Sequence, residues 1–211
     1  MQRGSLARIE GAAPSKIAVG GCLLLLVSVV VGGAVNDGYA QSRDYVSALS
    51  GRGSTAAFVG MVGLLGFSAA HAAAGLVFRQ RSRTAFVGLE LAAVSGVVVA
   101  FARIQCPQGA AGCSRGDGIP ADALDRVHGF GVVAYELCFI VGVVAAGWWL
   151  MRASKAVRVR AWAVALFALV VTSAALLAAM PDDSPGMVQR MWLSVNSLAI
   201  IGVALAGSRH R

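Results

Sequence analysis

Hydrophobic positions in this chain fall into six long runs, separated by short polar segments. The runs extend from Ile17 to Val35, Thr55 to Phe78, Thr84 to Ile104, Val127 to Met151, Ala161 to Met180 and Met191 to Gly207. A helix rises about 1.5 Å per residue, so roughly 20 residues cross the hydrocarbon core. Backbone N–H and C=O groups cannot stay unpaired in lipid, so each run predicts a transmembrane helix. The period-two alternation of a membrane β-barrel is absent. The predicted fold is all-α, a polytopic transmembrane bundle over 17–207, with an N-terminal segment 1–16 and a tail 208–211.

Polar segments between the runs predict the orientation. Arg3, Arg8, Lys16, Arg79, Arg81, Arg83, Arg152, Lys155, Arg158, Arg160, Arg209 and Arg211 all lie on one side of the alternation, twelve of the eighteen Lys and Arg residues. Glu10 is the one acidic residue with them, while Asp37, Asp44, Asp117, Asp122, Asp125, Asp182 and Asp183 lie opposite. The excess of cations marks the cytoplasmic side, so both termini are expected inside, in the cytoplasmic membrane. Trp148, Trp149 and Trp162 are expected at the inner interface and Trp192 at the outer. A competing pattern exists at the start: Arg3 to Lys16, the first run and Gly38-Tyr39-Ala40 also fit a signal peptide with its cleavage site. That run is long for a signal segment, so a retained first span is the expectation.

Composition agrees with a lipid-solvated chain. Of 211 residues, 57% are hydrophobic and 13% charged; mean hydropathy is +0.73. Soluble domains carry about twice that charged fraction, enough to coat their surface. The net charge of +8 sits in clusters between runs, where it anchors the chain on anionic lipid. No basic helix or aromatic platform suggests nucleic acid. Small residues such as Gly60, Gly63, Gly66, Ala70, Gly75, Gly142 and Gly202 allow close helix approach. They are expected to pack one bundle rather than to form a dimer face.

Candidate chemistry lies in two places. Inside the runs, Glu90 and Glu136 each cost about 2.5–3.5 kcal/mol unless paired, protonated or wet. His71 and Glu90 lie at similar predicted depth on runs joined by a tight turn, so an intramembrane polar pair is expected. It is either packing glue or a proton relay. Glu136 has Tyr135 beside it and Asn196 on the sixth run. On the outer side, Asp44, Tyr45, Ser47, Arg103, His128 and Arg190 gather at the helix mouths. Arg103 and His128 flank one loop and are expected to converge on a single anionic group. Taken singly, each such residue also reads as a solvated interfacial charge.

Cys106 and Cys113 bracket a Pro- and Gly-containing outer loop, where oxidation is permitted, and a disulfide is expected between them. A metal or free thiol pair is the alternative, but no His lies in that loop. Cys22 and Cys138 read as small apolar packing residues.

The segment Asp44-Tyr45-Val46-Ser47-Ala48-Leu49-Ser50 after the first run resembles the D-Y-I-S-x-L-G-like signature of the bacterial and archaeal "domain of unknown function 998" membrane proteins. His128, and Gly186-Met187-Val188-Gln189-Arg190 before the sixth run, are similar to later motifs of that family. The resemblance extends from Lys16 to Gly207. Ser50 stands where Gly is common, and Cys106-Pro107 replaces an aromatic-Pro start of the third loop. The resemblance implies a six-helix membrane protein of unassigned role, with no mechanism to carry over.

Three functions fit these features. The first is a small-molecule or lipid-binding bundle, transport-like, with a polar mouth above Glu136. The second is a structural or assembly subunit with a membrane-protein partner. The third, an intramembrane hydrolase, is disfavoured: His71, His128 and His210 are predicted too far apart to share a metal. No H-E-x-x-H, G-x-S-x-G or P-loop occurs. Neither catalytic residues nor a metal or cofactor is expected, and the partners expected are lipids and a small ligand.

Overall fold

The computed structural model describes residues 3–105, 122–179 and 184–209, with side chains from residue 13 onward. Six helices follow in order: α1 Arg3–Val35, α2 Ala57–Phe78, α3 Arg83–Phe101, α4 Ala123–Ala153, α5 Val157–Ala178 and α6 Pro185–Ser208. A short 3₁₀ segment, Val46–Ser50, lies between α1 and α2. Among the described residues there is no strand. All six helices are long and apolar enough to cross a membrane, with Ala13–Val35 the spanning part of α1.

Several helices begin earlier than the apolar runs predict. Asp122 caps α4 by accepting a hydrogen bond from the Asp125 N–H at 3.0 Å, and Pro185 occupies the first turn of α6. Such residues start a helix before its apolar stretch begins, because they satisfy or dispense with its orphan N–H donors.

Consecutive helices pack on one another, and α6 returns to contact α1, α2 and α4 as well as α5. Helices α2 and α6 therefore form the centre: 61% and 56% of their spanning windows are buried, against 22% for α5. The α3–α4 contact depends on Gly88 and Gly142, since a Cβ on Gly88 would lie 2.7 Å from the Gly142 nitrogen. No side chain fits there, and the two backbones approach more closely than larger residues allow. Leu23, Val30, Phe58, Phe130, Leu137 and Val171 point outward and are 53–78% exposed, the greasy coat of a lipid-facing bundle.

One end of the bundle gathers the basic segments. Arg81, in the α2–α3 turn, donates to the Gly207 carbonyl at 2.6 Å, and Ser15 donates to Ala204 at 3.1 Å. The start of the first span, the α2–α3 turn and the end of α6 thus share one face. Arg152 stacks over Trp148 and Arg81 over Trp149 on that side.

Candidate functional site

At the opposite face, the middle of the α1–α2 connection folds inward: Asp44 and the stretch Val46 to Gly51 are buried, while Asp37, Gln41, Arg43 and Thr55 on either side stay exposed. All five residues of the 3₁₀ segment are buried, including Ser47 and Ser50. The segment is held from several directions. Arg190, one turn into α6, donates through Nη1 to the carbonyls of Gln41, Asp44 and Gly186, and through Nη2 to the Tyr39 hydroxyl at 2.5 Å. Tyr39 Oη in turn donates toward the Asp44 and Tyr45 carbonyls. Burial raises the Tyr39 pKa above its ordinary value, with Arg190 opposing, so the phenol keeps its proton and remains a donor. The Asp44 carboxylate accepts from the Ala40 N–H at 2.6 Å. Gln189 accepts from the Val46 N–H, and the Met187 N–H donates to Ser42. Gly186 has no Cβ because one would strike the Gln41 and Asp44 carbonyls.

The far side of the same loop is fixed by other residues. Arg103 donates to the Ser50 carbonyl at 2.7 Å and to Gly51 at 2.8 Å. Arg52 meets Asp122 at 2.5 Å. His128 Nδ1 donates to the Ala102 carbonyl at 2.9 Å, closing the end of α3. The expectation that Arg103 and His128 converge on one anionic group is therefore corrected. Their donors, like those of Arg190, point at main-chain carbonyls on separate segments. A carbonyl at the end of a helix or turn is an orphan acceptor, and a nearby cation satisfies it.

Below this lock lies a second constellation, at the junction of α2, α4, α5 and α6. Glu136 is 4% exposed, and His71 and Asn196 are fully buried. Glu136 Oε1 lies 2.7 Å from Ser173 Oγ. Its Oε2 accepts from Trp192 Nε1 at 3.1 Å and Asn196 Nδ2 at 3.4 Å. Asn196 Nδ2 also reaches Tyr135 Oη at 3.3 Å, Tyr135 Oη lies 3.0 Å from His71 Nε2, and His71 Nδ1 lies 2.8 Å from the Phe67 carbonyl. Phe67, Phe139 and Trp192 pack around the rings of His71 and Tyr135.

Counting donors assigns the hydrogens. The Phe67 oxygen only accepts, so His71 Nδ1 carries a proton. A neutral His71 then offers Nε2 as acceptor, and Tyr135 donates to it. Ser173 Oγ also lies 2.5 Å from Asn196 Oδ1, and its single hydrogen serves only one of its two oxygen neighbours. Both contacts are satisfied when Ser173 donates to Asn196 and a protonated Glu136 donates to Ser173. A second arrangement moves that proton to His71 Nε2, turns the Asn196 amide over and lets Tyr135 donate to it. It places a carboxylate and an imidazolium in the bundle interior, where separated charge is costly. The neutral arrangement is therefore favoured, and transfer of one proton together with a turn of the Asn196 amide separates the two.

The structure revises other readings. His71 and Glu90 do not pair: His71 faces α4, and Glu90 lies about a turn away, where a Cβ on Gly75 would sit 2.9 Å from its Oε1. That oxygen is buried without a hydrogen-bond partner. Trp192 is no outer-interface anchor; it is 4% exposed and donates to Glu136. Sequence reasoning missed Ser173, a lone hydroxyl in an apolar run, and Tyr39, which no charge pattern marks. Cys106, Cys113, Asp182, Asp183 and His210 lie outside the described residues. Among the described residues no group of three His, Cys, Asp or Glu side chains is placed to hold a metal ion.

Lock and network are separated by a cavity of about 40 Å³, lined by Ser47, Phe67, His128, Tyr135, Gln189 and Trp192 among others. A water requires about 10–15 Å³ on this measure, and the walls are mostly apolar, with Leu64, Val99, Val132 and Leu193 among them, so the space has room for water-sized species and nothing drug-sized.

Six spanning helices around a polar centre define a multi-pass α-helical membrane protein. The chain belongs to the family described as protein of unknown function (DUF998), whose model matches residues 19–206. No curated protein and no solved structure matches it.

Proposed function

We propose that this chain is a small-molecule-binding, transport-like bundle of the cytoplasmic membrane, with both termini inside and its working centre at Glu136. The observation that carries this reading is the buried network from Glu136 through Ser173, Asn196 and Tyr135 to His71. A packing contact between helices needs one or two hydroxyls or amides. This network instead holds a carboxyl and an imidazole at its two ends, linked so that a proton has two resting places. Ionisable groups at such depth mark ligand or proton pathways more often than glue.

The ligand-facing residues are then Ser47, His128, Tyr135 and Trp192, with Glu136 behind them, bonded to the Trp192 indole. Asp44, Tyr45, Arg103 and Arg190 hold the loop that closes the outer approach. The cavity takes water-sized species as it stands. A larger ligand enters only if the 3₁₀ segment moves off α6.

The test is reconstitution of the full chain into liposomes with a trapped pH-sensitive dye, under an imposed potassium diffusion potential. Flux of protons, alone and with small amines or weak acids outside, is compared between the wild type and Glu136→Gln. Gln keeps both hydrogen-bonding positions but cannot release a proton. Loss of flux in a variant that melts like the wild type supports the reading. Equal flux in both, or purification only as a fixed complex with another membrane chain, overturns it in favour of an assembly role.

A further inference from the structure

A second feature lies on the basic face, remote from Glu136. Between α5 and α6 runs a notch of about 280 Å³. Its floor and walls are Trp162, Gly202, Leu205 and Ala206, and its rim carries Arg158 and Arg209. Gly202 deepens it: even a Cβ there would lie 3.3 Å from Leu166 and 3.8 Å from Trp162. The two rim arginines stand at the start of α5 and just past the end of α6, and their side chains have no hydrogen-bond or ion-pair partner among the described residues. Their neighbours on this face are differently placed, since Arg81 binds the Gly207 carbonyl and Arg152 stacks on Trp148. Neither α5 nor α6 carries an acidic residue, so nothing on the flanking helices neutralises the rim.

We propose that this notch binds one anionic phospholipid, with its phosphate between Arg158 and Arg209 and one acyl chain along Gly202, Leu205 and Ala206. The commitment to a lipid rests on the pairing of two features. Two guanidinium groups offer forked donors to phosphate oxygens. The apolar trough that continues from them toward the membrane interior has no use for a free anion. Trp162, 46% exposed, sits where an indole meets the headgroup level. A zwitterionic lipid would bring its own cation to the rim and lose most of the attraction.

The decisive measurement is thermal melting of the purified full chain in mild detergent, titrated with phosphatidylglycerol, phosphatidylcholine or inorganic phosphate. Phosphatidylglycerol is expected to raise the wild-type midpoint saturably, and the other two are not. The double variant Arg158→Gln/Arg209→Gln is expected to need about tenfold more phosphatidylglycerol for the same shift. A control of equal charge loss, Lys155→Gln/Arg160→Gln, removes cations from the same turn that do not line the notch, and is expected to change the titration less than twofold. Both pairs are solvent-exposed, and lipid-free midpoints verify that they fold. Equal losses in the two double variants would reduce the effect to general attraction of a basic face and overturn the site. A full shift from phosphate alone would overturn the lipid in favour of a free anion. Glu136→Gln is expected to leave this titration unchanged, so the notch and the central network succeed or fail separately.

Discussion

The two polar layers of this bundle are built from similar residue types and behave differently. In the outer lock, Arg103, Arg190, Gln189 and His128 pair chiefly with backbone groups: carbonyls, and the Val46 N–H for Gln189, with the Tyr39 hydroxyl added by Arg190. Backbone amides do not titrate, so those bonds have one proton arrangement and one geometry. In the central network, Glu136, Ser173, Asn196, Tyr135 and His71 pair with one another, and the links among these five side chains can reverse; those to the Phe67 carbonyl and from the Trp192 indole cannot. A cation on a carbonyl fixes a fold; a chain of side-chain donors and acceptors with ionisable ends stores alternatives. Conspicuous charge at the mouths of the helices is thus the less informative guide to chemistry in this protein.

That contrast makes Arg190 the most damaging single substitution. Arg190→Met leaves the Gln41, Asp44 and Gly186 carbonyls short of a donor and frees the Tyr39 hydroxyl. Charge-assisted bonds contribute about 1.5–3 kcal/mol each and are not additive, so the loss is expected near ~3 kcal/mol. Equilibrium unfolding in detergent would measure it. Arg190→Lys should recover less than half, because a point charge cannot reach carbonyls and phenol at once. A silent Arg190→Met would mean that burial and the bonds from Gln189, Met187 and Arg103 hold the loop without it.

The network predicts a different signature. Glu136→Ala strands the Trp192 indole and leaves Asn196 and Ser173 short of a partner, which is expected to destabilise by about 1–3 kcal/mol. Glu136→Gln is isosteric and, in the neutral arrangement, its amide donates to Ser173 as the carboxylic acid does. Its expected stability change is below ~1 kcal/mol, read in the same unfolding assay. A Gln variant as unstable as the Ala variant would show that Glu136 is ionised at rest, and the hydrogen assignment would have to be reversed.

The six helices were legible in sequence because lipid imposes one rule on all of them: about twenty predominantly apolar residues in a row. Their starts were misplaced where Asp122 and Pro185 extend a helix past its apolar run. The network was half legible. Glu136, Tyr135 and Asn196 stand out as polar residues in greasy segments, but Ser173 does not, since one serine costs a helix little. His71 was assigned to Glu90 from depth alone. Which neighbour a buried side chain meets depends on helix rotation, and α2 turns His71 toward α4 instead of α3. The loop lock was least legible. Arg190 and Arg103 bind carbonyls, and every residue has a carbonyl, so no pattern of residue types identifies the partners.

The smallest expected effect tests the outer layer at its most exposed point. Arg52 and Asp122 form an ion pair whose side chains are 35% and 32% exposed. The Arg52 guanidinium and the Asp125 N–H hold the Asp122 carboxyl below its ordinary 3.8. A carboxyl with a depressed folded pKa adds stability above its unfolded value and loses it as the pH falls through the folded one. Arg52→Gln should therefore lower the melting midpoint slightly at neutral pH, and the difference from wild type should shrink as the pH drops below 3.8. Added salt should shrink it too, since exposed pairs are screened. Asp122 also caps α4, and that bond to Asp125 survives in the variant. A difference that persists unchanged in acid would mean that the Arg52 side chain contributes through packing of its apolar stem rather than through its charge, since the backbone bond from Arg52 to the Ile104 carbonyl is the same in both chains.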